Sequence, residues 1–268
     1  LLSAAAESLV VELGNQVALQ ALMNPSEPVV VDWHLRTDDA AENATLLQMP
    51  GILALHWEDS PDLLMTTDLH ESLVTHNAQA VALSSVTDGA WHHIAVQMQR
   101  TTLSSQAAVA NQFSVVNGTV NSDALALELV IDGQQAAQSY IELRRELSEQ
   151  SITQAFGDKS TIVLASGIAC AIDQLRVWLS PGTNIAELAH VAVVDEEDMG
   201  ELAAFVSFDG TQAAWPELQE HTGKSRAFVT RQEGTNIIAS NLVPSGASFG
   251  APFVLLLLVI PLNSNAWV

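Results

Sequence analysis

The sequence predicts an all-β chain, an antiparallel β-sandwich with short helical turns. Three observations predict it. Apolar residues recur at every second position in a series of short segments. Paired turn formers separate those segments. Stretches with a helical period are few.

The segments follow in order. In Val29–Arg36, Val29, Val31, Trp33 and Leu35 share one side, and Val30, Asp32, His34 and Arg36 share the other. Leu53, Leu55 and Trp57 repeat the pattern. So do Ile94, Val96 and Met98, then Leu125, Leu127, Leu129 and Ile131, then Leu175, Val177 and Leu179. Such stripes fit strands with one buried face. Pro50-Gly51, Asp88-Gly89, Asp132-Gly133, Pro181-Gly182 and Asp209-Gly210 read as turns, and Asp132-Gly133 directly after a stripe predicts a hairpin. Residues 139–154 are rich in Glu, Arg and Leu and predict a short helix or a long excursion. Residues 184–193 predict one or two helical turns with Asn184 as N-cap. Residues 246–252 read as a linker.

The chain has 268 residues, 48% of them hydrophobic, enough for one large domain over residues 1–250 with an appendage at 251–268. It carries 31 acids against 9 bases, a formal charge of −22. That surface repels phosphate backbones and anionic membranes, so nucleic acid is not an expected partner. No window reaches the length of a membrane-spanning helix. The first residue is Leu1, with no basic segment leading into an apolar one, which reads as a piece of a longer polypeptide. The single cysteine, Cys170, lies in an apolar run and reads as a core thiol. Asn43-Ala44-Thr45 and Asn117-Gly118-Thr119 make Asn43 and Asn117 candidate glycosylation sites on a eukaryotic secretory route.

Four blocks stand in a telling order. The first is Asp88-Gly89-Ala90-Trp91-His92-His93-Ile94-Ala95-Val96. The second is the strand ending Val130-Ile131-Asp132-Gly133. The third is Ile172-Asp173-Gln174-Leu175-Arg176-Val177-Trp178, and the fourth is Leu202-Ala203-Ala204-Phe205-Val206-Ser207-Phe208-Asp209-Gly210. Together they resemble the laminin-G-like, concanavalin A-like lectin and glucanase domains of non-catalytic type, over about residues 29–210. The resemblance implies a jelly-roll sandwich, with residues 1–28 and 211–250 as flanking edge strands. It departs from the pattern at residues 101–121, long for that connection, and after Trp57. Within these blocks, Trp91 and Trp178 are expected to pack the sandwich core. His92 and His93 fall on opposite faces of one strand and cannot chelate a metal together. Asp173 and Arg176 suggest a strand-edge polar network.

The same superfold hosts glucanases, and Glu196-x-Asp198-x-x-Glu201 matches their acid spacing. The intervening Glu197, Met199 and Gly200 are not the apolar residues of a cleft-floor strand, so the run reads as a solvated loop. No nucleophile elbow, phosphate loop, dinucleotide fingerprint or zinc cluster is present. No cofactor is required. Ca²⁺ is possible through Asp59, Asp62 and Asp68 or the run 195–198, with no window supplying a full oxygen set. The apolar stretch from Phe253 to Leu262 has three readings: a buried strand closing a sheet, a strand donated to a neighbouring copy, or the start of a further domain. The expected role is a non-catalytic extracellular module of a surface, matrix or filament protein, engaging glycans, other proteins or copies of itself. A glycoside hydrolase or lyase and a purely structural filament subunit are the alternatives.

Overall fold

The computed structural model describes residues 7–14, 16–38, 44–57, 63–67, 69, 79–82, 86–144, 147–156, 159–168, 170–182, 184–190, 202–206, 217–218, 226–231, 237–239 and 257–259. The elements run β1 (Glu7–Gly14), α1 (Gln16–Met23), β2 (Val29–Arg36), β3 (Thr45–Met49), β4 (Leu53–Trp57), β5 (Leu63–Thr67), β6 (Gln79–Ala82), β7 (Trp91–Thr102), α2 (Ser105–Ala110), β8 (Val115–Val116), β9 (Thr119–Val120), β10 (Asp123–Ile131) and β11 (Gln134–Glu142). They continue with α3 (Glu149–Phe156), β12 (Lys159–Ser166), β13 (Ala171–Trp178), a 3-10 helix (Ile185–His190), β14 (Leu202–Val206), β15 (Glu217–Leu218), β16 (Arg226–Arg231), β17 (Ile237–Ala239) and β18 (Leu257–Val259).

Two antiparallel sheets form the sandwich. The larger has the order β15-β16-β1-β12-β3-β4-β5-β6, and the smaller β11-β10-β7-β2-β13-β14. The alternating stripes explain the packing. Val29, Val31, Trp33 and Leu35 of β2, Ile94, Val96 and Met98 of β7, and Leu125, Leu127 and Leu129 of β10 all enter one core with Leu47, Leu53, Leu55 and Trp57 of the facing sheet. Each such side chain, fully withdrawn from water, contributes about 1.5–3 kcal/mol before entropy is counted. Cys170 sits in the same core, and burial pushes its thiol up to about 12, so it is inert.

The structure departs from the expectations in several places. β1 pairs with both β12 and β16 and is an interior strand, not a flanking edge. Of the segment 139–154, expected to hold a short helix or a long excursion, the first part belongs to β11, which runs through Glu142, and the short helix begins at Glu149. The long connection after β7 folds into α2 and the β8–β9 hairpin. The 3-10 helix forms where helical turns were expected, with Ala186 N donating to Asn184 Oδ1 at 2.9 Å. In the apolar C-terminal stretch, β18 pairs with β17 as a separate two-stranded ribbon and extends neither main sheet among the described residues. Asp209-Gly210 lies outside the described residues. Among them, no helix is long and apolar enough to cross a membrane.

One irregularity organises the smaller sheet. β13 carries an extra residue against β2: Asp173 lies opposite His34, and Arg176 opposite Asp32. Gln174, at φ 51, is the bulge. It puts Asp173 and Arg176 on the same outer face, which strict alternation would forbid.

Candidate functional site

The outer face of the smaller sheet carries both a buried ionic network and a set of exposed polar residues, and it divides into a sealed part and an open part. The sealed part centres on Asp32, which is fully buried. Arg176 donates to it through Nε at 2.8 Å and through Nη2, and Trp178 Nε1 donates at 2.7 Å. His93 Nε2 lies 3.1 Å from the same carboxylate. Arg176 Nη2 also reaches the Leu188 carbonyl at 3.1 Å, which fastens the 3-10 helix over the network. Its guanidinium lies 5.8 Å from the Trp178 ring centroid. His34 stacks at a tilt beside His93, with centroids 5.1 Å apart. Burial, then the charges of His93 and Arg176, hold His34 down to about 4, so its ring is neutral near pH 7.

Asp173 and Arg176 are therefore interior groups at 0% exposure on a strand flanked by β2 and β14. They are not a strand-edge network. Neither Trp91 nor Trp178 packs the main core. Trp91 is half-buried opposite Arg36 on the outer face. Trp178 belongs to a satellite cluster with Val30, Ala95, Val130, Ile185, Leu188 and Leu202 beneath the 3-10 helix. The physical reason is parity: both tryptophans stand out of step with the buried stripes of their own strands. Trp33 and Trp57 are the core tryptophans.

His92 does point away from His93. Its Nε2 meets Asp88 at 2.9 Å and its Nδ1 meets Asp132 at 2.7 Å. Asp132, at φ 51, and Gly133, at φ 75, form the β10–β11 turn, and Asp132 Oδ1 also accepts from His93 N at 2.8 Å. Asp88 accepts from Ala90 N at 2.8 Å, and Arg36 Nε donates to the Gly89 carbonyl at 2.8 Å. The two Asp-Gly turns are thus tied to one strand start through a single histidine.

The open part lies further along the same sheet. Register places Gln97, Glu128 and Gln138 side by side across β7, β10 and β11, and Gln99, Ala126 and Tyr140 in the next row. None of these six is buried. The rows beyond them are covered at both ends. Ala95 and Val130 lie beneath the 3-10 helix. Ala124 lies beneath Ala108 and Phe113 of the α2 excursion. Ala124 and Val130 are six residues apart on one strand, roughly 20 Å. The two coverings are walls, and the polar rows are the floor between them. Among the described residues, the side chains of Gln97, Glu128, Gln138 and Tyr140 make no hydrogen bond or ion pair. Gln99 alone is committed, donating to the Pro25 carbonyl at 2.8 Å.

The excursion wall is held from below. Glu142, fully buried, accepts from Ser114 N at 2.9 Å, from Ser114 Oγ, and from Asn121 Nδ2 at 2.9 Å. Asn117 is exposed at the β8–β9 turn, at φ 52 with Gly118 at φ 77, so the second sequon is accessible. Asn43 lies outside the described residues, as do Asp59, Asp62, Asp68, Asp195, Glu196, Asp198 and Glu201. Among the described residues no group of three or more His, Cys, Asp or Glu is arranged to hold a metal ion.

The inward stripes define the core and leave the floor residues unmarked. Their signal was the other half of each alternation: Gln97 and Gln99 between Val96 and Met98, and Glu128 between Leu127 and Leu129.

No protein-family model matches the chain, and no curated protein matches it. Solved structures similar to it include a candidate carbohydrate-binding protein from Bacteroides ovatus, at 11% identity and a TM-score of 0.47, covering 85% of this chain and 58% of that one. The CBM40 of the Ruminococcus gnavus IT-sialidase is 12% identical, covering 65% of this chain and 85% of that one, with a TM-score of 0.36. The binding domain of botulinum neurotoxin DC, solved with rat synaptotagmin II, is 8% identical, covering 68% of this chain and 38% of that one, with a TM-score of 0.40. The chain thus spans less than two thirds of the Bacteroides and neurotoxin chains.

Proposed function

We propose that this β-sandwich is a non-catalytic module that engages glycans on the open part of the smaller sheet's outer face, outside the cell and within a larger surface, matrix or filament protein. The observation that supports this reading is the uncommitted row of Gln97, Glu128 and Gln138, set beside Tyr140 between two walls. Sugar hydroxyls donate and accept at once. Side-chain amides do the same, a carboxylate accepts, and an aromatic ring packs on the apolar face of a sugar. The laminin-G-like assignment rests on the ordered sequence blocks.

The reading favours binding over hydrolysis. Glycosidases work with two carboxylates, about 5 Å or 6.5–9.5 Å apart. Glu128 is the one carboxylate on the described floor between the walls. The other conspicuous polar groups, Asp32, Arg176 and Trp178, are spent on each other. No cofactor enters this reading.

A glycan array probed with and without Ca²⁺ tests it, comparing the 268-residue chain with a Gln97→Ala/Glu128→Ala/Gln138→Ala variant. The expected result is glycan binding that the triple variant loses and that EDTA leaves in place. No binding to any glycan, with defined higher oligomers in sedimentation velocity, would favour a structural subunit whose partners are copies of itself.

A further inference from the structure

Resting on the reading of the open floor as a glycan site, we propose that it takes uncharged oligosaccharides and rejects sialylated, sulfated and uronic-acid-bearing ones, with Glu128 as the discriminating residue. Three observations carry this. First, β7, β10 and β11 together hold one arginine or lysine, Arg100, and it faces away: it pairs in register with the core residue Leu125 and binds Asp123 at 3.3 Å. Second, the excursion wall is without charge. Residues 103–122 contain no Asp, Glu, Lys, Arg or His, in a chain whose formal charge is −22. The opposite wall, the 3-10 helix of sequence Ile185–His190, contains Glu187 and His190 and no lysine or arginine. Third, Glu128 sits in the middle of the floor row with a glutamine on each side and, among the described residues, no lysine or arginine paired with it.

An anionic sugar placed there meets an unpaired carboxylate at close range and finds, among the described floor residues, no guanidinium or ammonium to receive its own charge. A neutral sugar meets donors and acceptors that match its hydroxyls, and Glu128 strengthens the bonds it accepts because it is ionised. The charge pattern that repels anions also anchors neutral hydroxyls, so selectivity and affinity trace to the same residue.

Isothermal titration of the whole chain with matched pairs tests the proposal: lactose against 3′-sialyllactose, and galactan oligosaccharides against oligogalacturonate. Neutral members of at least one pair are expected to bind, with their charged counterparts weaker by about tenfold or more. Glu128→Gln is expected to weaken the neutral ligand and narrow that ratio, and Glu128→Lys to reverse it. Both substitutions fall on a partly exposed position, and unchanged urea unfolding curves confirm the fold. Charged sugars binding as well as neutral ones would overturn the selectivity while leaving the glycan reading intact. Neutral binding unaltered by either Glu128 substitution would move the site elsewhere. An absence of binding to neutral and charged sugars alike would remove the glycan reading itself, and this inference with it.

Discussion

Trp178, on β13, gives its indole proton to Asp32, on β2, at 2.7 Å. Arg176, two residues earlier, occupies the other oxygen of the same carboxylate. One buried acid therefore joins two neighbouring strands and, through the Arg176 contact to Leu188, the 3-10 helix above them. Removing one member of such a pair leaves an uncompensated buried charge. Asp32→Asn is expected to lower stability by about 3–5 kcal/mol in urea unfolding. An apolar double replacement, Asp32→Leu/Arg176→Met, is expected to cost less than the two single changes summed. Additive losses would mean that the pair is not coupled.

His34 sets a pH dependence. Its folded pKa is about 4 against an ordinary 6.5, so the unfolded chain binds the extra proton first. Stability is unaffected by this group above pH 6.5 and falls as the pH drops toward 4, by an amount that solvent screening of the partly exposed ring reduces. Unfolding free energies measured from pH 7.5 to 4.5 are expected to show that decline, and His34→Gln to flatten it. An identical slope in the variant would assign the decline to other groups.

His92 works in the opposite direction. Burial disfavours its charge, but the hydrogen bonds it donates to Asp132 and Asp88 outweigh burial and raise its pKa. Asp88 is lowered in turn, by its bond to His92 and then by the Ala90 amide. A raised histidine stabilises the fold below its unfolded value of 6.5 and loses that contribution as the pH climbs through the folded value. A lowered aspartate contributes above 3.8 and loses it as the pH falls. The clamp on the two Asp-Gly turns is thus strongest in mildly acidic solution. An NMR titration is expected to place the His92 transition above that of a free histidine, and Asp132→Asn to bring it down.

Glu142 governs the excursion wall. Replacing it with Leu removes the acceptor of the Ser114 amide and hydroxyl and leaves the Asn121 side-chain amide only the Leu143 carbonyl. The expected outcome is faster amide exchange and earlier proteolysis across residues 103–122, with glycan affinity weakened. The rest of the sandwich is expected to exchange as before. Uniform loss of protection over both sheets would instead give Glu142 a role in global stability.

The sandwich was legible in the sequence because its core strands obey alternation: the stripes of β2, β7 and β10 enter the core as the period of two requires. The Asp-Gly turns were legible because a type I′ hairpin needs left-handed backbone at both central residues, and Asp132 and Gly133 supply it. Trp91 and Trp178 leave the main core because parity, and not side-chain size, sets which face a strand residue occupies. The Asp32 network was hidden because its members lie far apart in sequence and depend on a bulge that no local pattern announces. The floor depends on pairing: Gln97 and Gln138 become neighbours of Glu128 only when three strands are set in register.

The bulge at Gln174 sets the reading frame of β13. Asp173 on one side of it and Arg176 on the other face the same way only because one residue more than the pleat requires stands between them. A one-codon deletion at Gln174 would turn one of these two charges inward, against Leu35, Trp33 and their neighbours. Insertions and deletions are usually read as loop events, but here a single-residue deletion inside a strand reverses the face of a charge.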